Sequence, residues 1–279
     1  MKKQNINEPV TLTDEQAVDA IYDLLGKSFP DKAIQREPLK IQEVSNNLGF
    51  INPGPKNINH LLLKLDREIR SKSDAENNIE MGEIINRDYK DHEGDLFDNL
   101  RDWSRFAIII PDYASAPAIV GHFLAEFGGQ IDYHERPGYQ AIHQHTSYKD
   151  VNLEFQFHTV KHAELKKATD IFYHQYNNIV VPMNSRIENE KLAIEAQMNE
   201  YCQMVYNRSD FQASLPAVKA LVSDYQARAP KVQKKKLKHF CEYARKADLV
   251  QSELAAYLPT FLGKYNEMQN TKLEHVEKI

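Results

Sequence analysis

Apolar positions along this chain change their period twice, and each change marks a different kind of element. Near the start they recur at helical spacing. Thr13 and Gln16 are the pair of a capping box, and Val18, Ile21, Leu24 and Leu25 then share a face, which predicts an amphipathic helix. Gly49 to Pro55, rich in Gly, Pro and Asn, reads as a loop. A second amphipathic helix is expected after it, with Ile58, Leu61, Leu62 and Leu65 inward and Lys56, Lys64, Arg67 and Arg70 among its polar positions. Residues 71–95 have almost no apolar periodicity and read as a long loop or mobile segment. The first hundred residues are thus expected to be helical, with loops between.

The middle of the chain shifts to short runs and alternation. Phe106 to Ile110 is a continuous apolar run closed by Pro111, the pattern of a buried strand. Ser115 is placed to cap a helix in which Ile119, Val120, Phe123, Leu124 and Phe127 share a face, stopped by Gly128-Gly129. A strand over 130–134, the turn Arg136-Pro137-Gly138 and a strand near 140–146 follow. Another strand alternates through Leu153, Phe155 and Phe157, and a helix is expected from about 160 to 178. After Pro182 helical spacing returns, in Ile194, Met198, Tyr201, Cys202 and Val205 and again in Leu237, Phe240, Cys241 and Ala244. A last helix over 249–268 is expected to be interrupted near Pro259. Its Leu, Tyr and Phe stripe over 249–261 reads as core or helix-packing surface.

These elements predict an α/β (α+β) fold. A central mixed sheet of about four to five strands is flanked by helices, with helical additions at both ends. The divisions expected are an N-terminal helical region over 1–50, a core over 51–182 and a C-terminal helical region over 183–279.

Composition narrows the class. With 42% apolar residues in 279, the chain can fill a core, which excludes wholesale disorder and collagen-like repetition. No run approaches a membrane span, and MKKQNINEPV has two lysines but no apolar h-region, so neither a membrane segment nor a secretory signal is expected. Two cysteines, Cys202 and Cys241, exclude a disulfide framework and a Cys-rich zinc module. A cytoplasmic protein is the expectation. The net charge of −5 argues against a nucleic-acid partner only on average. Residues 74–102 carry ten acidic and three basic side chains, whereas 227–249 carry eight basic and two acidic ones. Lys231, Lys234, Lys235, Lys236 and Lys238 form the basic run, a solvated helix end by default and a phosphate-tracking patch if the substrate is RNA.

Three polar segments lie at the strand ends: Arg101-Asp102-Trp103-Ser104-Arg105, Gly138-Tyr139-Gln140-Ala141-Ile142-His143, and Glu154-Phe155-Gln156-Phe157-His158-Thr159. In the third, Glu154, Gln156 and His158 share one strand face and Phe155 and Phe157 the other. Such a polar face costs stability if buried without partners, and a ligand or metal opposite it would remove that cost. His158 and His162 have the i,i+4 spacing of a helical zinc pair, but His158 is expected on the strand and no third ligand has diagnostic spacing.

On these segments the chain resembles the RelA/SpoT-like nucleotidyltransferase family, the alarmone synthetases and their toxic relatives. Asp102 stands where the family has the aspartate of Asp-x-x-Gly-x-Arg. The Gly138–His143 segment is similar to Gly-Tyr-x-Ser-x-His, and Glu154–Thr159 to Glu-x-Gln-x-Arg-Thr. Phe172-Tyr173-His174 resembles the aromatic-His pattern that follows, and Pro55-Lys56 and Lys64 echo a Lys-rich phosphate segment. The likeness covers about 100–178 and extends to 50–72.

The resemblance implies transfer of pyrophosphate from ATP to a ribose 3′-hydroxyl with release of AMP, on a nucleotidyltransferase-like fold. Asp102 and Glu154 would hold Mg²⁺, with Glu154 also able to take the hydroxyl proton. Lys56, Lys64, Arg67 and Arg105 would meet triphosphate oxygens, Tyr139 would stack on the acceptor base, and His143, Gln156 and His158 would complete the nucleotide site. The acceptor is a purine nucleotide or the 3′ end of tRNA. The tRNA form implies toxicity and an antitoxin partner. Ala107 replaces the family's Arg, with Arg105 two positions earlier on the same strand face; His158 replaces a second Arg, and Ala141 the Ser. Those replacements also suit a catalytically silent member that binds nucleotide or a partner protein. No His-Asp hydrolase motif is present, so an alarmone-degrading domain is not expected. An unrelated nucleotidyltransferase would use the same two carboxylates and release pyrophosphate.

Overall fold

The structure, a computed structural model, describes residues 12–28, 30, 34–45, 47–54, 103–136, 139–177, 185–208, 211–228 and 240–276. The expected second helix over 56–70, the 71–95 segment and the basic run over 231–238 lie outside them.

The capping box forms. Thr13 N–H donates to Gln16 Oε1 at 2.8 Å and Gln16 N–H to Thr13 Oγ1 at 3.2 Å, starting helix α1 (Asp14–Ser28). Its Val18, Ile21 and Leu25 are fully buried. They pack with Leu165 and Ala168 of a helix at Val160–Asn177 and with Met198, Cys202 and Val205 of one at Ser185–Arg208. These two helices are α3 and α4 below.

The expected loop at Gly49–Pro55 is in its first part a strand. Gln42–Ser45 (β1) and Leu48–Ile51 (β2) pair antiparallel around Asn47, whose φ is 61°. Four residues are too few to display alternation, and Gly49 reads as a loop signal by composition. Its actual reason is close approach: a Cβ there would lie 2.6 Å from the Gln42 carbonyl oxygen.

Four more strands follow: β3 (Ser104–Ile109), β4 (Gln130–Arg136), β5 (Tyr139–Tyr148) and β6 (Val151–His158). The sheet order is β1-β2-β3-β6-β5-β4. Among the described residues six strands therefore replace the expected four to five, the surplus being the β1–β2 hairpin. Among the described residues only β3 and β6 pair in parallel, joined through helix α2 (Ala116–Phe127) and the β4–β5 hairpin. The architecture is a six-stranded mixed sheet flanked by helices.

Helix α2 buries the face expected for it, with Ile119, Val120, Phe123 and Leu124 in the core. Ser115 does not cap it through its side chain. Its Oγ–H donates to the Asp112 carbonyl instead, and Asp112 Oδ1 accepts the Ser115 N–H. At the other end Gln144 Nε2 donates to the Gly128 carbonyl (2.6 Å) and Thr146 Oγ1 to that of Phe127 (2.6 Å), so β5 satisfies the helix terminus. Gly129, at φ 99°, passes so close that a Cβ would meet the His145 carbonyl oxygen at 2.2 Å.

The C-terminal half adds α5 (Phe211–Arg228) and α6 (Phe240–Val276). Pro259 does not interrupt α6. Leu254, Leu258, Phe261 and Leu262 around it are buried in the sheet core, and that packing outweighs one missing backbone hydrogen bond. Helix α6 also fixes the start of two central strands. Gln251 accepts from Arg105 N–H (3.1 Å) and donates to Arg105 O (2.9 Å), two residues before Ala107, where β2 stops pairing with β3. Ser104 Oγ–H donates to the Ala247 carbonyl, and Asn152 N–H donates to Tyr243 Oη, whose ring packs on Trp103. None of the described helices is long and apolar enough to cross a membrane.

Candidate functional site

Strand β6 is buried along its full length on both faces. Leu153, Phe155 and Phe157 point into the main core, where Phe155 and Phe157 meet Phe123 edge-on at 4.9 and 5.2 Å between ring centroids. Glu154, Gln156 and His158 occupy the opposite face. Cross-strand register extends that face. Arg105 of β3 stands opposite Glu154 and Ala107 opposite Gln156, while on β5 His145 stands opposite Glu154 and His143 opposite Gln156. Beyond them Asp132 of β4 pairs with His143, and His134 lies two residues along. Four strands thus present one continuous polar face.

Its centre is the Glu154 carboxylate. Oε1 accepts a hydrogen bond from Gln156 Nε2, and Oε2 lies 3.6 Å from both His143 Nδ1 and His145 Nδ1. Burial works to raise this carboxyl's pKa. The His143 imidazole first, then His145 and the Gln156 amide, overcome it and hold the carboxyl well below the usual range. Glu154 is therefore an ionised, buried anion. The far nitrogens of the two imidazoles also have partners: His143 Nε2 meets Tyr139 Oη at 2.7 Å, and His145 Nε2 meets Asp132 Oδ2 at 3.3 Å.

His158 closes the end of β6 and is fully buried, 6.1 Å between ring centroids from Tyr139. Neither ring nitrogen has a hydrogen-bond partner among the described residues. Burial, aided by the positive charge of Lys166, keeps its pKa far below the ordinary histidine value. It is neutral, and so no substitute for the fixed charge of an arginine. His162 belongs to the core on α3. Its Nδ1 meets Tyr113 Oη at 2.7 Å, and burial lowers its pKa to about 3.

Of the residues singled out in the sequence, the fold brings Arg105, Tyr139, His143, Glu154, Gln156 and His158 to one face of adjacent strands. Asp102, Lys56, Lys64, Arg67, Lys231, Lys234, Lys235, Lys236 and Lys238 lie outside the described residues. Sequence reading passed over Asp132, His134 and His145. The alternation His143-Gln144-His145 places two imidazoles on one side of a strand and is visible in one dimension. The contribution of β4 is not, because it depends on pairing register. No family model matches this chain, and no curated protein or solved structure matches it either.

Proposed function

We propose that the chain is an ATP-dependent pyrophosphokinase of the RelA/SpoT-like kind. The observation that carries the reading is the register of β3, β5 and β6. It sets Arg105, His143, Glu154 and Gln156, drawn from three separate sequence motifs, side by side on one face. Phosphoryl chemistry of this kind depends on positioning and charge stabilisation rather than on covalent help.

In this reading Glu154 accepts the proton of the attacking ribose 3′-hydroxyl. The 3′ oxygen bonds to the β-phosphorus of ATP, the bond from that phosphorus to the α-phosphate bridging oxygen breaks, and AMP leaves. The low pKa keeps Glu154 ionised at neutral pH and also makes it a weak base, so in this reading it orients the hydroxyl and passes the proton to an imidazole beside it, His143 or His145. Arg105 compensates phosphate charge from the neighbouring strand, and Tyr139, at the β4–β5 turn, stacks on the acceptor base. The acceptor is the 3′ end of tRNA or a purine nucleotide, with the Lys231–Lys238 run tracking RNA phosphates in the first case.

Mg²⁺, which the resemblance implies, requires a shell of oxygens. Among the described residues this face offers one buried carboxylate, already bonded to Gln156 and flanked by imidazoles. Asp102, the second carboxylate that the resemblance gives the ion, lies outside the described residues.

The test supplies γ-labelled ATP together with deacylated tRNA or with purine nucleotides. Label on one acceptor, matched by AMP release and lost by at least about a hundredfold in Glu154→Gln, is the expected result. No AMP release with any acceptor would overturn the reading. It would favour a nucleotide- or partner-binding module, for which Ala107 and the neutral His158 are the supporting features.

A further inference from the structure

The polar face assembles nitrogen donors more densely than phosphoryl transfer requires. Ligating atoms of His134, His143 and His145 all lie within 4.8 Å of one another. Two further separations are informative. His143 Nδ1 and His145 Nδ1 are each 3.6 Å from Glu154 Oε2. That is longer than a hydrogen bond of about 2.7–3.2 Å. It is within a few tenths of an ångström of the roughly 3.3–3.4 Å edge of a tetrahedron of N and O ligands held about 2.0–2.1 Å from a metal.

The remaining ring nitrogens support the same assignment. A ligating imidazole ordinarily donates its other N–H to a carboxylate or another fixed acceptor, which sets the tautomer and aims the free lone pair. His145 Nε2 faces Asp132 Oδ2 at 3.3 Å and His143 Nε2 faces Tyr139 Oη at 2.7 Å, leaving both Nδ1 atoms directed at Glu154. His143 is 95% buried, and its Nδ1 has no hydrogen-bond partner among the described residues. The His134 ring lies 4.1 Å, centroid to centroid, from that of His143. All four side chains project from paired strands, so the cluster is held by sheet register rather than by a loop.

We propose that His134, His143 and His145 hold an imidazole-preferring divalent transition metal, Zn²⁺ foremost, with the Glu154 carboxylate beside them as counter-charge and Asp132 and Tyr139 orienting the rings. Three imidazoles and one carboxylate suit that class and not Mg²⁺ or Ca²⁺. The site shares Glu154, His143, His145 and Tyr139 with the pyrophosphokinase reading but does not depend on it, because metal binding is measured without ATP or acceptor and so stands or falls apart from the labelling assay.

The experiment titrates full-length, chelator-treated protein with Co²⁺, followed by its visible d–d absorption, and then with Zn²⁺ against a chromogenic chelator. The expected result is one equivalent of Co²⁺ with the intense bands of tetrahedral geometry, displaced by Zn²⁺ but not by millimolar Mg²⁺. His145→Gln loses the bands. Asp132→Asn keeps the stoichiometry and binds about 10–100-fold more weakly. His122→Gln, on a ring stacked against Phe261, binds as the parent does. Far-UV circular dichroism confirms that each variant is folded, and Asp132, with a side chain 41% exposed, can be altered without touching the core. Absence of a stoichiometric Co²⁺ complex, displacement by Mg²⁺, or unchanged binding in folded His145→Gln would overturn the assignment.

Discussion

Replacing His162 by glutamine isolates the stability that one buried imidazole withholds in acid. His162 is 1% exposed, packs beside Tyr113 and Phe211, and bonds Tyr113 Oη through Nδ1. Its native pKa is about 3 because burial penalises the imidazolium, whereas an unfolded histidine titrates near about 6.5. Between those values the unfolded chain binds a proton that the native protein does not, so stability rises with pH. The contribution is complete above about pH 6.5 and falls as pH drops toward about 3, by about 1.4 kcal/mol per unit, or about 2 kcal/mol by about pH 5. Glutamine does not titrate and still offers Tyr113 a hydrogen-bond partner. Urea unfolding of both proteins between about pH 7 and about pH 5 measures the effect. The parent should lose about 2 kcal/mol more than His162→Gln over that interval, with similar m-values. A gap between the two that stays constant within about 0.5 kcal/mol would refute the assignment of a buried neutral His162.

Two further substitutions probe the scaffold beneath the candidate site. Gln251→Leu removes the side chain that serves both Arg105 backbone groups and should cost about 1–3 kcal/mol for each group left without a partner, read as a lower urea midpoint. Gly129→Ala places a methyl against the His145 carbonyl at a φ of 99°, and should destabilise by more than about 1 kcal/mol while displacing the β5 imidazoles. Thermal unfolding measures the first effect of Gly129→Ala. Loss of the Co²⁺ bands in folded protein reports the second.

The chain on its own determined the elements whose signal is local. The capping box, the apolar face of α2, the Gly128-Gly129 stop and the alternation in β6 each involve residues within one turn or one strand, so spacing alone identifies them. It also determined that Glu154, Gln156 and His158 share a face, because strand alternation admits no other arrangement. Tertiary structure decided what short or non-local patterns cannot carry. The β1–β2 hairpin is too short to show a period, and α6 passes Pro259 because the sheet core holds both sides of it. Above all, pairing register decided what the polar face is made of. A slip of one residue in β4 or β5 would turn Asp132, His134, His143 and His145 into the phenylalanine core. That the Glu154 carboxylate stays ionised in a buried place follows from imidazoles on another strand, a relation no single stretch of sequence contains.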